Sequence, residues 1–245
     1  MKWDLQGTVM QILNTELRPG EKVISESGKM MYMSDNIKME TKALGGFWKS
    51  LKRKFAHESF FLVEFSPKGG TGIVAFASEV PGKIIPAKLK AGEELICQKD
   101  AFLCSETSVD FDATFTKRLG AGFLGGEGLI LIKIKGPGQV FLNVGGEVTK
   151  LDLEAGQKVR IDTTCLAMFD ANMDYSVERV KGLKNILWGG EGLFLATITG
   201  PGRVWIQSMP ITELAAKLAQ YMPSEKRGKA EVAGGLLRTL GKFGR

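Results

Sequence analysis

The chain has 245 residues, of which 44% are hydrophobic and 24% charged, and its formal net charge is +6. This composition excludes an intrinsically disordered chain and a collagen-like chain, because it allows a substantial buried core and its 31 glycines follow no short period. Three cysteines without a C-x-x-C pair predict reduced thiols and a cytoplasmic location. Because no long uninterrupted apolar segment is present, we predict neither a signal peptide nor a membrane-spanning helix.

Residues 1–16 alternate polar and apolar side chains, which predicts a short N-terminal strand. After it, "LRPGEKVI" from Leu17, "LKAGEELI" from Leu89 and "LEAGQKVR" from Leu153 resemble one another, and the last two are 64 residues apart. Such internal similarity is typical of a repeated architecture. We therefore predict three β repeats, at residues 17–88, 89–152 and 153–209.

A second pattern recurs with the same offset of 64 residues: G-G-E-G-L, an apolar run and then G-P-G. The apolar runs "LILIKIK" and "LFLATIT" alternate in their second halves, which predicts strands. The G-P-G at Gly136–Gly138 and at Gly200–Gly202 predicts a type II turn leading directly into a second strand, and so a hairpin. The sequence therefore predicts an all-β fold, a sandwich or barrel of antiparallel strands, with the repeats packed about a pseudo-threefold axis.

Three glycines within the middle repeat, Gly120, Gly122 and Gly125, have the spacing of a dinucleotide-binding fingerprint. That fingerprint requires a strand before it and a helix after it, because the helix N-terminus faces the pyrophosphate. Here the following residues predict a strand. We therefore interpret these glycines as bends or close backbone contacts, and we predict no cofactor.

These segments carry a family resemblance. "ALGGFWKSLKRKFAHESFFLVEF", "GGEGLILIKIKGPGQVFL", "LKNILWGGEGLFLATITGPGRVWIQ" and a late "LAAKLAQYMP" together resemble the uncharacterised family that includes the altered-inheritance-of-mitochondria protein, from about Gly7 to Pro223. The resemblance implies a fold of the kind found in the tryptophan RNA-binding attenuation protein, a double-stranded β-helix or jelly-roll-like sandwich present three times per chain. It supplies no catalytic residue, and it links mitochondrial members to inner-membrane organisation and respiratory biogenesis. The basic tail beyond Pro223 departs from the family pattern.

The residues that could support catalysis or bind a metal are few. His57 is the one histidine, and it takes the place of a glycine of the other repeats, so we interpret it as a turn or edge residue and predict neither a catalytic residue nor a metal site. Glu58, Glu127 and Glu191 recur at equivalent positions and could act as acid and base or bind a hard cation. Solvated turn carboxylates are the favoured interpretation.

The C-terminal region predicts a helix at residues 210–223, "ITELAAKLAQYM", with Thr212 as its N-cap and Pro223 as its end. In the basic tail that follows, residues 224–245, apolar side chains recur at helical spacing, so the tail is predicted either as an amphipathic segment or as disordered. The other basic segment is "FWKSLKRKF", whose spacing is compatible with one short amphipathic helix. Its favoured interpretation is an exposed charged face with the apolar side against the sheet, and anion binding is the alternative. Cations beside aromatic side chains suit the phosphates of RNA or of anionic lipids. The candidate anion-contacting residues are Lys49, Lys52, Arg53, Lys54, Lys226, Arg227, Lys229, Arg238 and Lys242.

We predict a non-enzymatic, cytoplasmic scaffold or interaction protein that self-associates, with a trimer as the favoured homo-oligomer. Its other expected partners are an anionic membrane surface, at which it would be peripheral, or a protein. RNA binding is the first alternative function, and it predicts salt-sensitive binding. The second alternative is a small-ligand or metal-binding protein with a jelly-roll cavity.

Overall fold

A computed structural model describes residues 1–41, 62–117, 129–180, 194–219 and 221. The described part of the chain forms nineteen strands and one α-helix. The first strands are β1 (Lys2–Gln6), β2 (Ile12–Leu17), β3 (Val23–Glu26), β4 (Met30–Met33), β5 (Ile37–Thr41), β6 (Leu62–Pro67) and β7 (Gly72–Ala77). The middle strands are β8 (Gly82–Leu89), β9 (Glu94–Gln98), β10 (Phe102–Glu106), β11 (Asp110–Lys117), β12 (Leu129–Lys135) and β13 (Gly138–Gly145). The last elements are β14 (Val148–Leu153), β15 (Lys158–Asp162), β16 (Leu166–Asp170), β17 (Asp174–Arg179), β18 (Phe194–Thr199), β19 (Gly202–Gln207) and helix α1 (Ile211–Ala219).

The strands form four antiparallel sheets. Their orders are β1-β2-β7-β4, β5-β6-β3-β10-β13-β8, β11-β12-β9-β16-β19-β14 and β15-β18-β17. The all-β prediction with a short C-terminal helix is thus confirmed.

After β1 the strands fall into three sets of six, here called unit 1 (β2–β7), unit 2 (β8–β13) and unit 3 (β14–β19). In every unit the sixth strand pairs with the first and the third, and the fifth strand pairs with the second and the fourth. Each unit therefore contains two three-stranded half-sheets. The predicted repeat boundaries at residues 17, 89 and 153 fall on the last residue of the first strand of each unit, and they stay a prediction.

Three hydrophobic clusters fill the spaces between the half-sheets. The unit 1 cluster includes Leu13, Phe65 and Phe76, and the two phenylalanine rings meet edge to face at 5.6 Å. The unit 2 cluster is built around Phe102 and Phe111, whose ring centroids are 5.0 Å apart. Burying each such side chain contributes about 1.5–3 kcal/mol to folding. These cores hold the half-sheets face to face.

Side-chain alternation works as predicted in the strands that bury one face. In β18, Phe194, Ala196 and Ile198 are buried while the residues between them are half-exposed. In β12, Ile134 is buried between the half-exposed Lys133 and Lys135. The first four residues of β12 are all buried, because the sheet that contains them packs against a core on each face.

One glycine recurs at the same turn of every unit. Gly20, Gly92 and Gly156 have φ values of +88°, +83° and +78°, a conformation that residues with a Cβ rarely adopt. Nothing described lies within 4 Å of a Cβ built at any of them, so the backbone conformation, not space, requires glycine there. Each of these turns leads into the second strand of its unit.

The two G-P-G segments are not the hairpins that the sequence predicts. Strand β12 pairs with β9 and β11, whereas β13 pairs with β8 and β10, so the turn carries the chain from one sheet to the facing sheet. The β18–β19 connection does the same. Gly138 and Gly202 have φ values of +150° and +149°, whereas the third residue of a type II turn has a φ of about +80°, so these are also not type II turns. Alternation shows which face of a strand is buried, but both facing strands bury a face in the same core, so it cannot distinguish the two connections.

The predicted C-terminal helix is confirmed in α1, but its N-cap is not Thr212. The carbonyl oxygen of Pro210 accepts the first helical hydrogen bonds, from the N–H groups of Glu213 at 3.1 Å and Leu214 at 3.2 Å. Thr212 lies inside the first turn, and its buried Oγ1 has no hydrogen-bond partner among the described residues. The helix therefore begins two residues earlier than an N-cap at Thr212 implies.

Candidate functional site

Consecutive units are joined by strand pairs that cross from one unit to the next. The second strand of unit 1, β3, pairs with the third strand of unit 2, β10. In the same way β9 of unit 2 pairs with β16 of unit 3. Each junction therefore makes one six-stranded sheet from two half-sheets, and backbone hydrogen bonds hold the units together.

The two junctions use the same register. At the first, Ser25, Ile24 and Val23 pair with Cys104, Ser105 and Glu106. At the second, Cys97, Ile96 and Leu95 pair with Met168, Phe169 and Asp170. Positions can be counted from the turn glycine of each unit, Gly20, Gly92 or Gly156. At both junctions the residues 5, 4 and 3 positions after the glycine of one unit pair with the residues 12, 13 and 14 positions after the glycine of the next unit. One rule of pairing thus describes both interfaces.

Unit 1 and unit 3 each contain one strand whose equivalents pair across a junction but which has no such partner among the described strands. Strand β4 is the third strand of unit 1, and among the described strands it pairs with β7 alone. Strand β15 is the second strand of unit 3, and among the described strands it pairs with β18 alone. The array of units therefore ends in two different open sheet edges.

Side chains on the β4 edge are exposed where their equivalents are buried. Met31 is 55% exposed and Tyr32 is 48% exposed. The equivalent residues of unit 2 are Leu103 and Cys104, both fully buried, and those of unit 3, Ala167 and Met168, are each 1% exposed. Leu103 belongs to the hydrophobic cluster of unit 1, the unit that precedes its own. Met31 is exposed because no described strand pairs with the open edge of β4.

The β15 edge differs from its equivalents in residue type as well as in exposure. Arg160 is exposed, and its guanidinium pairs with Glu178 at 2.7 Å, whereas the equivalent residues Ile24 and Ile96 are buried between units. The unit 3 cluster includes Phe169, Ile198 and Val204, and the half-buried Val159 packs against it. This edge combines a charged side chain with an incompletely covered core.

A buried charge cluster lies beside the first junction. Lys29 is almost fully buried, and its Nζ lies 2.6 Å from a Glu79 oxygen and 3.9 Å from a Glu26 oxygen. Burial raises the pKa of Glu26 to about 7, although the charges of Lys29 and Lys99 act in the opposite direction. Glu26 therefore changes its protonation state near neutral pH.

The open cleft beside the G-P-G turn of unit 2, about 730 Å³ in volume, is lined in part by Lys88, Lys90, Glu106 and Ser108. Oε2 of Glu106 accepts a hydrogen bond from the backbone N–H of Gln139 at 2.9 Å. This carboxylate is therefore engaged in holding strand β13, and the two lysines make the cleft suited to an anion.

The three cysteines are free thiols in the structure, and burial raises the pKa of all three. Cys97 and Cys104 are fully buried, and Cys165 is half-buried. A thiol with a raised pKa is a poor nucleophile at neutral pH. In the described part of the chain, no group of three or more histidine, cysteine or acidic side chains is placed to hold a metal ion.

A family model described as Mitochondrial biogenesis AIM24 matches residues 3–209. The chain belongs to this family. An uncharacterized protein of Streptococcus pyogenes serotype M6 is 27% identical to this chain over 222 residues, which cover 87% of each protein. An X-ray crystal structure of a Streptococcus pyogenes protein matches this AIM24-family fold with a TM-score of 0.73 at 24% identity, covering 90% of this chain and 99% of that one. That structural match supports the fold alone.

The anion-contacting residues predicted from the sequence lie outside the described residues. These are Lys49, Lys52, Arg53, Lys54, Lys226, Arg227, Lys229, Arg238 and Lys242. His57, the recurring Glu58, Glu127 and Glu191, and the glycines Gly120, Gly122 and Gly125 lie outside them as well. The strand expected after these glycines is confirmed as β12. No described helix has the length and apolar character needed to cross a bilayer.

Sequence reasoning missed the two open edges. The signal was present, because aligning the repeats on their turn glycines places Arg160 where the other units have Ile24 and Ile96. A charged residue at one of three equivalent apolar positions indicates that this position has a different neighbour. The sequence does not show what that neighbour is.

Proposed function

We propose that this AIM24-family protein is a non-enzymatic scaffold that self-associates through the two ends of its β array. The observation that carries the proposal is that Met31 and Tyr32 are exposed where both sets of equivalent residues are buried by a preceding unit. Exposed apolar side chains on an unpaired strand are typical of an interaction surface. A trimer is the expected homo-oligomer.

The number of chains in solution tests this function directly. We expect native mass spectrometry and light scattering of the full chain to show a defined homo-oligomer at micromolar concentration. The mass should be stable to moderate salt, because backbone pairing and apolar burial are screened little by ions. A monomer at all concentrations up to about 100 μM, above the micromolar dissociation constant of a modest interface, would contradict the proposal.

We also propose that the assembled protein binds an anionic membrane surface peripherally. Helix α1 supports this, because it exposes Ile211, Leu218 and the adjoining Tyr221 immediately before the basic tail. Apolar side chains followed by clustered cations are the combination that attracts a protein to anionic lipid.

Vesicle flotation tests the membrane proposal. The full chain should float with vesicles that contain anionic phosphatidylglycerol and stay unbound with neutral phosphatidylcholine, and deletion of residues 224–245 should reduce flotation severalfold. The matched control replaces Lys49, Lys52, Arg53 and Lys54 by glutamine, which distinguishes the contribution of this basic segment to flotation from that of the tail. Equal flotation on both lipids would contradict an electrostatic contribution, and a salt-sensitive gel shift with RNA in place of flotation would favour RNA binding.

A further inference from the structure

We propose that β15 of one copy pairs with β4 of a second copy, antiparallel and in the register that joins the units within each chain. This inference rests on the proposed self-association and names the two surfaces that meet. The occupant of each open edge is thus the opposite edge of an identical chain.

The pairing rule of the internal junctions predicts the contacts between copies. Residues 5, 4 and 3 after the turn glycine of one unit meet residues 12, 13 and 14 of the next. Applied to Gly156 of one copy and Gly20 of the next, the rule pairs Ile161 with Tyr32, Arg160 with Met33, and Val159 with Ser34.

The backbone of β4 already has the shape of its equivalents. The pairing of β4 with β7 is irregular between Met30 and Tyr32. Strands β10 and β16 have the same irregularity, between Phe102 and Cys104 and between Leu166 and Met168. A bulge bends its strand and re-aims the side chain at that point. Met31 therefore projects from β4 as Leu103 and Ala167 project from theirs.

The apolar surfaces of the two edges complete one another. Leu103 of unit 2 is buried in the cluster of unit 1, so the rule places Met31 at the unit 3 cluster of the neighbouring copy. Val159 and Cys165 pack against that cluster and are only partly buried. Covering them with Met31 and Tyr32 would remove apolar surface of both copies from water, which favours the contact.

Charge along the two edges is compatible with this register. At the second internal junction the pairing extends one step further, since the N–H of Ala171 donates to the carbonyl oxygen of Glu94 at 3.2 Å. The equivalent step between copies sets Lys158 opposite Asp35, a pair of opposite charges. Arg160 keeps its ion pair with Glu178 and can lay its aliphatic stem on Met33.

The contact joins two different surfaces, so an open array of any length keeps one free β4 edge and one free β15 edge. Such an interface closes into a ring when the rotation between copies permits, and otherwise extends as a filament. The exposed Met31 and Tyr32 of β4 and the exposed, charged Lys158 and Arg160 of β15 belong to the same contact in every copy.

Cysteine pairs test the register. All variants carry Cys165→Ser, because the other two native thiols are fully buried. Chains with Met33→Cys and chains with Arg160→Cys are co-expressed with different tags and oxidised mildly. Directly opposed residues of antiparallel strands have Cα atoms about 4.5–5.5 Å apart, within the range of a disulfide. We expect a covalent dimer that contains one chain of each tag.

The matched control pairs Met33→Cys with Lys158→Cys, which is displaced by two residues on the same face of β15. The Cα atoms of these diagonal residues would be about 7–8 Å apart, beyond the roughly 7 Å that a disulfide spans without backbone movement. We expect at least a tenfold lower yield of covalent dimer. Circular dichroism and thermal unfolding of each variant establish that it is folded before the yields are compared.

The remaining outcomes separate the inference from the proposed function. A native oligomer whose in-register pair yields no more covalent dimer than the control overturns this pairing and leaves self-association standing. A monomer overturns both. In a chain that carries both Met33→Cys and Arg160→Cys, a disulfide within a single chain would also overturn the inference, because β15 would then pair with β4 of its own copy.

Discussion

Strands β4 and β10 occupy the same place in consecutive units and have the same bulge, but their surroundings differ. Strand β10 lies between β3 and β13 in a six-stranded sheet, whereas β4 ends its sheet. As a result Leu103 is fully buried and Met31 is more than half exposed. The comparison teaches that the neighbouring unit, not the residue type, decides burial on this strand.

The largest expected effect comes from truncating the buried member of the pair. Leu103→Ala should lower the free energy of unfolding by about 2–5 kcal/mol, because it removes buried methyl groups and leaves a cavity at the first junction. Met31→Ala should cost less than about 1 kcal/mol in the separated chain, because its side chain is already hydrated there. Urea unfolding measures both.

The proposed contact between copies adds a second expectation for this pair. The loss caused by Met31→Ala should grow with protein concentration, because assembly stabilises the folded chain by mass action. The loss caused by Leu103→Ala should not depend on concentration in this way. If the two variants behave alike at low concentration, the exposure of Met31 does not describe the protein in solution.

The next effect concerns charge at the two internal junctions. Glu26 of unit 1 occupies the position of Gln98 in unit 2, whose side-chain amide donates to the carbonyl oxygen of Thr163 at 2.8 Å. The raised pKa of Glu26 means that the folded state binds its proton more tightly than the unfolded state does. Its contribution to stability therefore falls as pH rises from about 4.5 to about 7.

Glu26→Gln gives unit 1 the residue type of unit 2 and removes this dependence. The stability of the variant relative to the original protein should increase by up to about 3 kcal/mol between pH 4.5 and pH 7.5. Unfolding curves of both proteins at several pH values measure the difference in their free energies of unfolding. The titration of all other groups is common to both proteins and cancels in this difference. A difference that is constant with pH would show that Glu26 titrates normally.

The smallest expected effect concerns three equivalent hydrogen bonds, one in each unit. The side chains of Ser34, Glu106 and Asp170 each accept the backbone N–H of the second residue of a sixth strand, at 2.9, 2.9 and 2.8 Å. Asp170 also holds the guanidinium of Arg203 through both of its oxygens. Hydrogen bonds to charged groups contribute about 1.5–3 kcal/mol and neutral ones about 0.5–1.5 kcal/mol.

Asp170→Ala should therefore destabilise the chain by about 1.5–3 kcal/mol and Ser34→Ala by about 0.5–1.5 kcal/mol. Thermal unfolding of the two variants under identical conditions measures the ratio. Equal losses would mean that the charge of Asp170 adds nothing to the shared backbone contact.

Much of the fold could be predicted from particular residues. The alternation in "LFLATIT" corresponds to strand β18, and Gly20, Gly92 and Gly156 have the positive φ of turn glycines. The N-cap at Thr212 was wrong, because the carbonyl of Pro210 begins the helix instead. The hairpins at the two G-P-G segments were wrong as well. The type of each element is a local property, but the partner of each strand is not.

The candidate site was less accessible from the sequence. Charge clustering drew attention to Lys49–Lys54 and to the tail, which lie outside the described residues, whereas the open edges carry no motif. Only pairing shows that β4 and β15 lack the neighbour that their equivalents have. An edge strand and a central strand can have nearly the same residues, because edges are defined by hydrogen bonds to distant parts of the chain.

By itself, the sequence determined the class of fold, the equivalence of Gly20, Gly92 and Gly156 and the family, because side-chain period and repeated motifs depend on residues close together in the chain. Tertiary structure alone decided that consecutive strands cross between sheets, that neighbouring units share a sheet, and that Met31 and Arg160 are exposed. These features depend on backbone hydrogen bonds between residues far apart in sequence. Local patterns are compatible with several such pairings, and only the assembled cores select one.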